Sequence, residues 1–275
     1  MSKPLVIYHA NCADGFTAAW VFWSMYGDSF EYYPGVYSKP PPDCLNREVY
    51  MVDFSYKRPV VEQMLEDARS ITILDHHKSA IEDLYTLNDA KFSAHFDIER
   101  SGARLAWDFV YPDKPPPALL LRVEDRDLWK FNFDDTRDIQ ACVFSYEYTF
   151  ENWDRMMKHG DLFDMAGQGR AIERKHFKDI KELLAAYQRT MVIAGHVVPV
   201  CNVPYTMSSD AGHIMAEHAP FAACYSDGPD GRHFSLRSRK GTGMDVSEIA
   251  KLYGGGGHAN ASGFKVGRDH ELARA

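Results

Sequence analysis

Three short apolar runs near the start of the chain each end in residues that could do chemistry. Leu5-Val6-Ile7-Tyr8 leads into His9 and then Asp14, Val49-Tyr50-Met51-Val52 into Asp53, and Ile71-Thr72-Ile73-Leu74 into Asp75-His76-His77. Taken singly, an Asp after a strand is a helix N-cap or a turn former. Taken together, the ends of strands in one parallel sheet share an edge, the edge where open α/β folds bind ligands. Carboxylates crowded there repel one another unless a cation neutralises them. Mixed Asp and His donors suit divalent manganese, iron, cobalt or zinc. A fourth carboxylate source, Glu124-Asp125-Arg126-Asp127, follows the apolar run Leu119–Val123.

A second set of such residues lies near the C-terminus, in Gly255-Gly256-Gly257-His258 and Arg237. Consecutive glycines let backbone N–H groups come close to a phosphate or sugar, and glycine alone accepts the φ > 0 turns this needs. His258 could stack on a base or donate to a phosphate, and Arg237 could grip a phosphate with two hydrogen bonds. The alternative is a flexible turn before a last strand, with Arg237 merely solvated. Arg232, Arg237, Arg239 and Lys240 form a local basic cluster in an otherwise acidic chain, which suits anion binding.

The elements that must position these groups alternate. Helical stretches at Phe16–Tyr26 and Arg58–Arg69 separate the three apolar runs, the pattern of a parallel α/β sheet. Ala103–Tyr111 reads as a helix with Ser101 as its N-cap, ended by Pro112. Residues 131–165 read as irregular and helical. From Ala171 to Met191, apolar residues recur at helical spacing. The expected organisation is an α/β chain: a parallel-sheet domain over 1–165, a connector helix over 166–194, and a smaller α/β domain over 195–275.

Composition narrows the function. The chain has 275 residues, 45% of them hydrophobic and 25% charged, with a net charge of −8. Such a composition excludes a disordered chain. A net negative charge disfavours binding of long nucleic acid, whose affinity comes from many Lys and Arg contacts, but leaves a small phosphate-bearing substrate open if metal ions supply positive charge. Five cysteines without C-x-x-C spacing argue against a disulfide framework or a zinc ribbon. No apolar run approaches the ~20 residues of a membrane span, and the N-terminus lacks a signal-peptide pattern, so a cytoplasmic location is expected.

Asp75-His76-His77, with His9 and Asp14 upstream and Asp53 between, resembles the DHH phosphoesterase superfamily. The segment Ser235–Ser238, then Asp245–Ala250, then Gly255-Gly256-Gly257-His258 with Ala261 and Gly263, is similar to the DHHA1 substrate domain of that superfamily. The likeness extends over nearly the whole chain and is nearest in pattern to bacterial short-oligonucleotide phosphodiesterases. It implies that Asp53 bridges two divalent ions, most simply Mn²⁺. It further implies that His9 helps hold the first ion, and that Asp14, His76 and Asp125 hold the second. Asp125 is favoured over Asp127 because Trp129 then falls at the family's spacing. Catalytic roles fall to His77, facing the substrate phosphate, and to Asp75, fixing the histidines. Arg237, Gly255, Gly256, Gly257 and His258 would bind substrate.

The implied reaction is hydrolysis by metal-activated water, with no side-chain nucleophile. The implied partner is a short oligonucleotide or nucleotide rather than a long duplex or a membrane, and a homodimer is compatible. Other substrates of the same chemistry are 3′,5′-bisphosphate nucleotides and cyclic or linear dinucleotides; a non-catalytic nucleotide-binding module is the rival from another class. The chain departs from the family's first motif, His-x-x-x-Asp-x-Asp. It reads His9-Ala10-Asn11-Cys12-Ala13-Asp14-Gly15, one residue short, with Cys12 where the first Asp falls. Cys12 is either a thiolate ligand favouring zinc or iron or a small buried residue. In the second case the first ion lacks a carboxylate.

Overall fold

Leu5, Val6 and Ile7 are fully buried, because strand β1 (Leu5–His9) is an interior strand of a sheet covered on both faces. The computed structural model describes residues 2–37, 39–241 and 243–274. Met1 and Ala275, the outer bounds of the expected domains, lie outside them. By contacts the chain divides into two units, Met1–Glu173 and Arg174–Ala275.

In the first unit, β1 is followed by α1 (Ala13–Tyr26), β2 (Glu31–Gly35), β3 (Glu48–Val52), α2 (Arg58–Asp67), β4 (Ser70–Asp75), α3 (Lys78–Leu84) and β5 (Phe92–Phe96). Helices α4 (Gly102–Val110), α5 (Ala118–Asp127), α6 (Thr136–Phe144) and α7 (Phe150–His159) complete it, with the start of α8 (Leu162–Tyr187). All four strand pairings are parallel, in the order β2-β1-β3-β4-β5. Side chains alternate between two cores. Val6, Val52 and Leu74 pack with α1 and α4–α7, while Leu5, Ile7, Val49, Met51, Ile71 and Ile73 pack with α2 and α3. Burial on both faces is why these strands read as near-continuous apolar runs.

The strand order reverses direction between β1 and β3, which makes this a topological switch point. Register fixes what lies there. Tyr8 pairs with Val52 and Val52 with Leu74, so the next residues, His9, Asp53 and Asp75, emerge at one level on three adjacent strands.

In the second unit, α8 is followed by β6 (Arg189–Ile193), β7 (His196–Asn202), α9 (Ser208–Met215), β8 (Ala222–Gly228), β9 (Gly231–Arg237), α10 (Val246–Leu252), β10 (Gly256–His258), β11 (Ala261–Val266) and α11 (Glu271–Arg274). The sheet order is β10-β11-β9-β8-β7-β6, antiparallel except for β7 with β8. One face packs a core with α10, including Phe234, Leu236, Ile249 and Phe264. The other packs Ile180 and Phe177 of α8 with Ala211 and Met215 of α9.

Three elements differ from the sequence expectation. Residues 189–193 form β6 instead of continuing the connector helix, which stops at Tyr187. Residues 136–159 resolve into α6 and α7. Strands β2 and β5 occupy the two edges of the first sheet; half-exposed and, in β2, carrying Pro34, they lack the buried-strand signature. No helix is long and apolar enough to cross a membrane among the described residues.

Candidate metal and phosphate site

Asp53 sits at the centre of the site. It follows β3 in a left-handed conformation, φ 54°, which Asp tolerates better than most residues. Its N–H donates to Leu74 O at 2.9 Å. Gly102, at the start of α4, packs so close that a Cβ there would run into the Asp53 side chain; a larger residue would displace the carboxylate. That carboxylate is 1% exposed. His76 Nε2 donates to its Oδ1 at 3.1 Å, and His9 Nδ1 lies 3.5 Å from its Oδ2.

Asp14 reaches the same place from the first turn of α1. Ala103 N–H, at the start of α4, lies 3.2 Å from each of its oxygens, so a helix N-terminus orients it. Gly15 lets α1 begin against β1: a Cβ there would lie 2.5 Å from His9 O.

Asp75 ends β4 and points its Oδ1 back into the turn that follows. It accepts from His76 N at 2.7 Å, His77 N at 3.1 Å and His77 Nδ1 at 2.7 Å. This locks the His77 ring and fixes its tautomer, leaving Nε2 as the nitrogen that meets a ligand.

Two donor sets result. Asp14, Asp53 and His76 offer ligand atoms within 4.8 Å of one another, as do His9, Asp53 and His77, and Asp53 is common to both. The structure thus brings together His9, Asp14, Asp53, His76 and His77, with Asp75 behind them. It does not bring in Asp125. That carboxylate accepts from Asn132 N at 2.8 Å, Phe133 N at 3.3 Å and Thr136 Oγ1 at 2.5 Å, so it organises the turn between α5 and α6. The residue facing the cluster is Asp127, whose Oδ2 lies 3.4 Å from His76 Nε2. The family spacing to Trp129 pointed to Asp125, the carboxylate of the pair that faces the turn and not the cluster. The phase of α5 carries the right signal: Leu120, Val123 and Asp127 fall at i, i+3 and i+7, one face of a helix, and Leu120 and Val123 are buried. The supporting roles of Gly102 and Ala103 left a fainter trace, a glycine directly after the capping Ser101.

Electrostatics fit a cation. Asp53 Oδ2 and Asp127 Oδ2 are buried with no hydrogen-bond partner among the described residues, a costly state for carboxylate oxygens unless a positive charge meets them. Burial, then repulsion from Asp127 and Asp53, pushes Asp14 well above the usual carboxylate range. Burial also pushes Asp127 up, against the pull of His76. Burial opposes ionisation of Asp53 as well, but hydrogen bonds from His76 and His9 and the nearby His77 hold it well below the usual range. Burial disfavours the charged form of His77, yet the adjacent Asp75 lifts it to about 9. These are acidic and histidine clusters able to bind a divalent metal.

Cys12 occupies the N-cap position of α1. Burial, then Asp53, Asp127 and Asp14, push its thiol well above the ordinary range. It belongs to neither of these donor sets.

In the second unit, Ala261 pairs with Arg237 on one side and with His258 on the other. Directly opposed residues share a face, so Arg237 and His258 stand level on one face, two strands apart, with a small residue between. Arg237 donates to Ser235 Oγ at 2.9 Å, Leu236 O at 2.7 Å and Ser209 Oγ at 2.7 Å. The glycines have a packing role. A Cβ at Gly255 would strike Gly263 O, and one at Gly257, which has φ 137°, would lie 2.7 Å from Ala261 O.

The parallel sheet, its switch-point cluster and the Asp-His-His turn fit the resemblance to the DHH superfamily read from the sequence. No family model matches it. It is 32% identical over 288 residues to an uncharacterized protein, R106, of Acanthamoeba polyphaga mimivirus, an alignment covering 94% of this chain and 66% of that one. It is 26% identical over 219 residues to the oligoribonuclease NrnB of Bacillus subtilis, covering 71% of this chain and 53% of the relative. The chain therefore spans just under two thirds of one of these relatives and about half of the other. Among solved structures, the pGpG-specific phosphodiesterase PggH of Vibrio cholerae aligns with a TM-score of 0.47 at 14% identity, over 97% of this chain and 94% of that one.

Proposed function

We propose that this chain is a metal-dependent phosphodiesterase that hydrolyses short oligonucleotides to nucleoside monophosphates. One observation carries the reading: two sets of Asp and His donors share the buried Asp53 at the switch point of a parallel sheet. The naming of the Bacillus subtilis relative as an oligoribonuclease supports the choice of substrate.

His9, Asp14, Asp53, His76 and Asp127 would hold divalent cations, Mn²⁺ suiting the mixed donors. Such cations supply a water of lowered pKa and neutralise charge at phosphorus. The chain's own residues do the rest. Asp53, held ionised by His76 and His9, gives a fixed negative centre between the donor sets. In the metal-free chain Asp75 favours the charged His77 imidazole, lifting it to about 9, and aims it. His77 then donates toward a phosphoryl oxygen on which charge develops, an interaction stronger in the transition state than in the ground state. Arg237 and His258 offer a second set of phosphate and base contacts.

The test is release of mononucleotide from a 5′-phosphorylated RNA dinucleotide with Mn²⁺, beside a 3′,5′-bisphosphate nucleotide, a cyclic dinucleotide and an RNA of about twenty residues. Fast cleavage of the dinucleotide and little of the long RNA is the expected result. Preference for the bisphosphate or the cyclic compound would move the substrate assignment, and no turnover of any of them would overturn the enzyme reading.

A further inference from the structure

Tyr37 is an exposed aromatic residue built against the His9 side of the cluster. The segment that carries it is pinned at its base. Gly35 ends β2, and Ala10 N–H donates to Gly35 O at 3.0 Å. A Cβ at Gly35 would lie 2.9 Å from Ile7 Cγ2 and from Phe54 Cε1, so the strand end can sit there only as glycine. Lys39 N–H then donates to Val36 O at 3.1 Å, closing a turn that contains Tyr37.

The ring is supported from below. Its centroid lies 4.8 Å from Phe54, 5.3 Å from His9 and 6.5 Å from His77. Phe54 is fully buried, yet Tyr37 keeps 48% of its surface exposed. A ring placed there only to fill the core would be covered as Phe54 is. An exposed aromatic surface fixed in place loses little entropy on binding and offers a π-face to a flat partner. The partner chemistry follows from the neighbours: a group one sugar away from a phosphate engaged at His9, Asp53 and His77.

Resting on the phosphodiesterase reading, we propose that Tyr37 is a base-stacking residue, its ring receiving the nucleobase of the nucleotide whose phosphate is held at this cluster. Stacking is tolerant of base identity, so the residue selects nucleotides over other phosphate esters without selecting a sequence. The ring does this, and the hydroxyl is dispensable.

The experiment measures, by calorimetry with Mn²⁺ present, the binding of AMP and of ribose 5-phosphate to the full chain and to Tyr37→Phe and Tyr37→Leu. Mn²⁺ affinity is measured alongside. The wild-type chain is expected to bind AMP at least tenfold more tightly than ribose 5-phosphate. Tyr37→Phe keeps that ratio. Tyr37→Leu weakens AMP by about ten- to a hundredfold, down to the level of ribose 5-phosphate, and leaves ribose 5-phosphate and Mn²⁺ unchanged. An equal loss for both ligands, or none for either, overturns the stacking role while leaving the phosphodiesterase reading in place. A wild-type chain that binds neither ligand removes that reading and this inference with it.

Discussion

The two units present chemistry-bearing residues in opposite ways. At the parallel sheet of the first, Asp14, Asp53 and His76 are all about 1% exposed, and three carboxylate oxygens, of Asp53, Asp75 and Asp127, are left without a hydrogen-bond partner among the described residues. In the second, Arg237 and His258 are half-buried, and the Arg237 guanidinium is tied to Ser235, Leu236 and Ser209. The first is a region of unresolved charge that a cation would complete. The second is a surface shaped by backbone, where glycines permit a close hairpin. On the proposed function the difference would separate reaction from recognition, strain in charge marking the first and fit in shape the second.

Replacing Asp53 by Asn is the sharpest way to break this contrast. Turnover with Mn²⁺ should fall on the order of 10³-fold or more, while the thermal midpoint of the metal-free chain stays within a few degrees, because Asn tolerates the left-handed turn and keeps an acceptor for His76. A fall in both would mean that Asp53 is a structural residue.

The next test separates two neighbours. Asp127→Asn should weaken Mn²⁺ binding by at least tenfold with little change in stability. Asp125→Asn should do the reverse, costing about 1–3 kcal/mol in urea unfolding as the turn at 132–136 loses its acceptor. Equal effects would erase the distinction drawn from geometry.

The Asp75–His77 pair predicts a pH dependence in the metal-free chain. A histidine raised from an ordinary value near 6.5 to about 9 contributes stability that is fully present below the ordinary value and is lost as pH rises through about 9. Urea unfolding with a chelator should therefore show the wild type losing on the order of 2 kcal/mol between pH 6 and 9.5, and His77→Asn losing less. Parallel pH curves for the two would sink the assignment.

The smallest effect belongs to the second unit. Arg237→Ala should weaken binding of a 5′-phosphorylated dinucleotide about tenfold and leave Mn²⁺ affinity untouched. A matching loss of Mn²⁺ affinity would end the division between the two regions.

Much of the first unit was legible because physics wrote it plainly into the sequence. A parallel strand buried on both faces is apolar over most of its length, and β1, β3 and β4 carry such runs in Leu5–Tyr8, Val49–Val52 and, but for Thr72, Ile71–Leu74. Their ends therefore located His9, Asp53 and Asp75 without structural help. Edge strands β2 and β5 face solvent in part and carry no such mark. The choice between Asp125 and Asp127 turned on the rotational phase of one helix, which residue spacing to Trp129 does not encode. The glycine run was readable as a place of close approach, but not as to what approaches: here it is the neighbouring strand β11.

The donors of the cluster are spread from His9 to Asp127 and meet only when β1, β3, β4 and α5 have docked. An unfolded chain has no equivalent arrangement, so a divalent cation that binds these groups binds the native state alone. Its free concentration then sets the melting temperature: at a hundred times Kd, binding adds about 2.7 kcal/mol to the unfolding free energy. The same coupling would make a chelator a mild denaturant, and let the cation supply decide how long the chain survives heat.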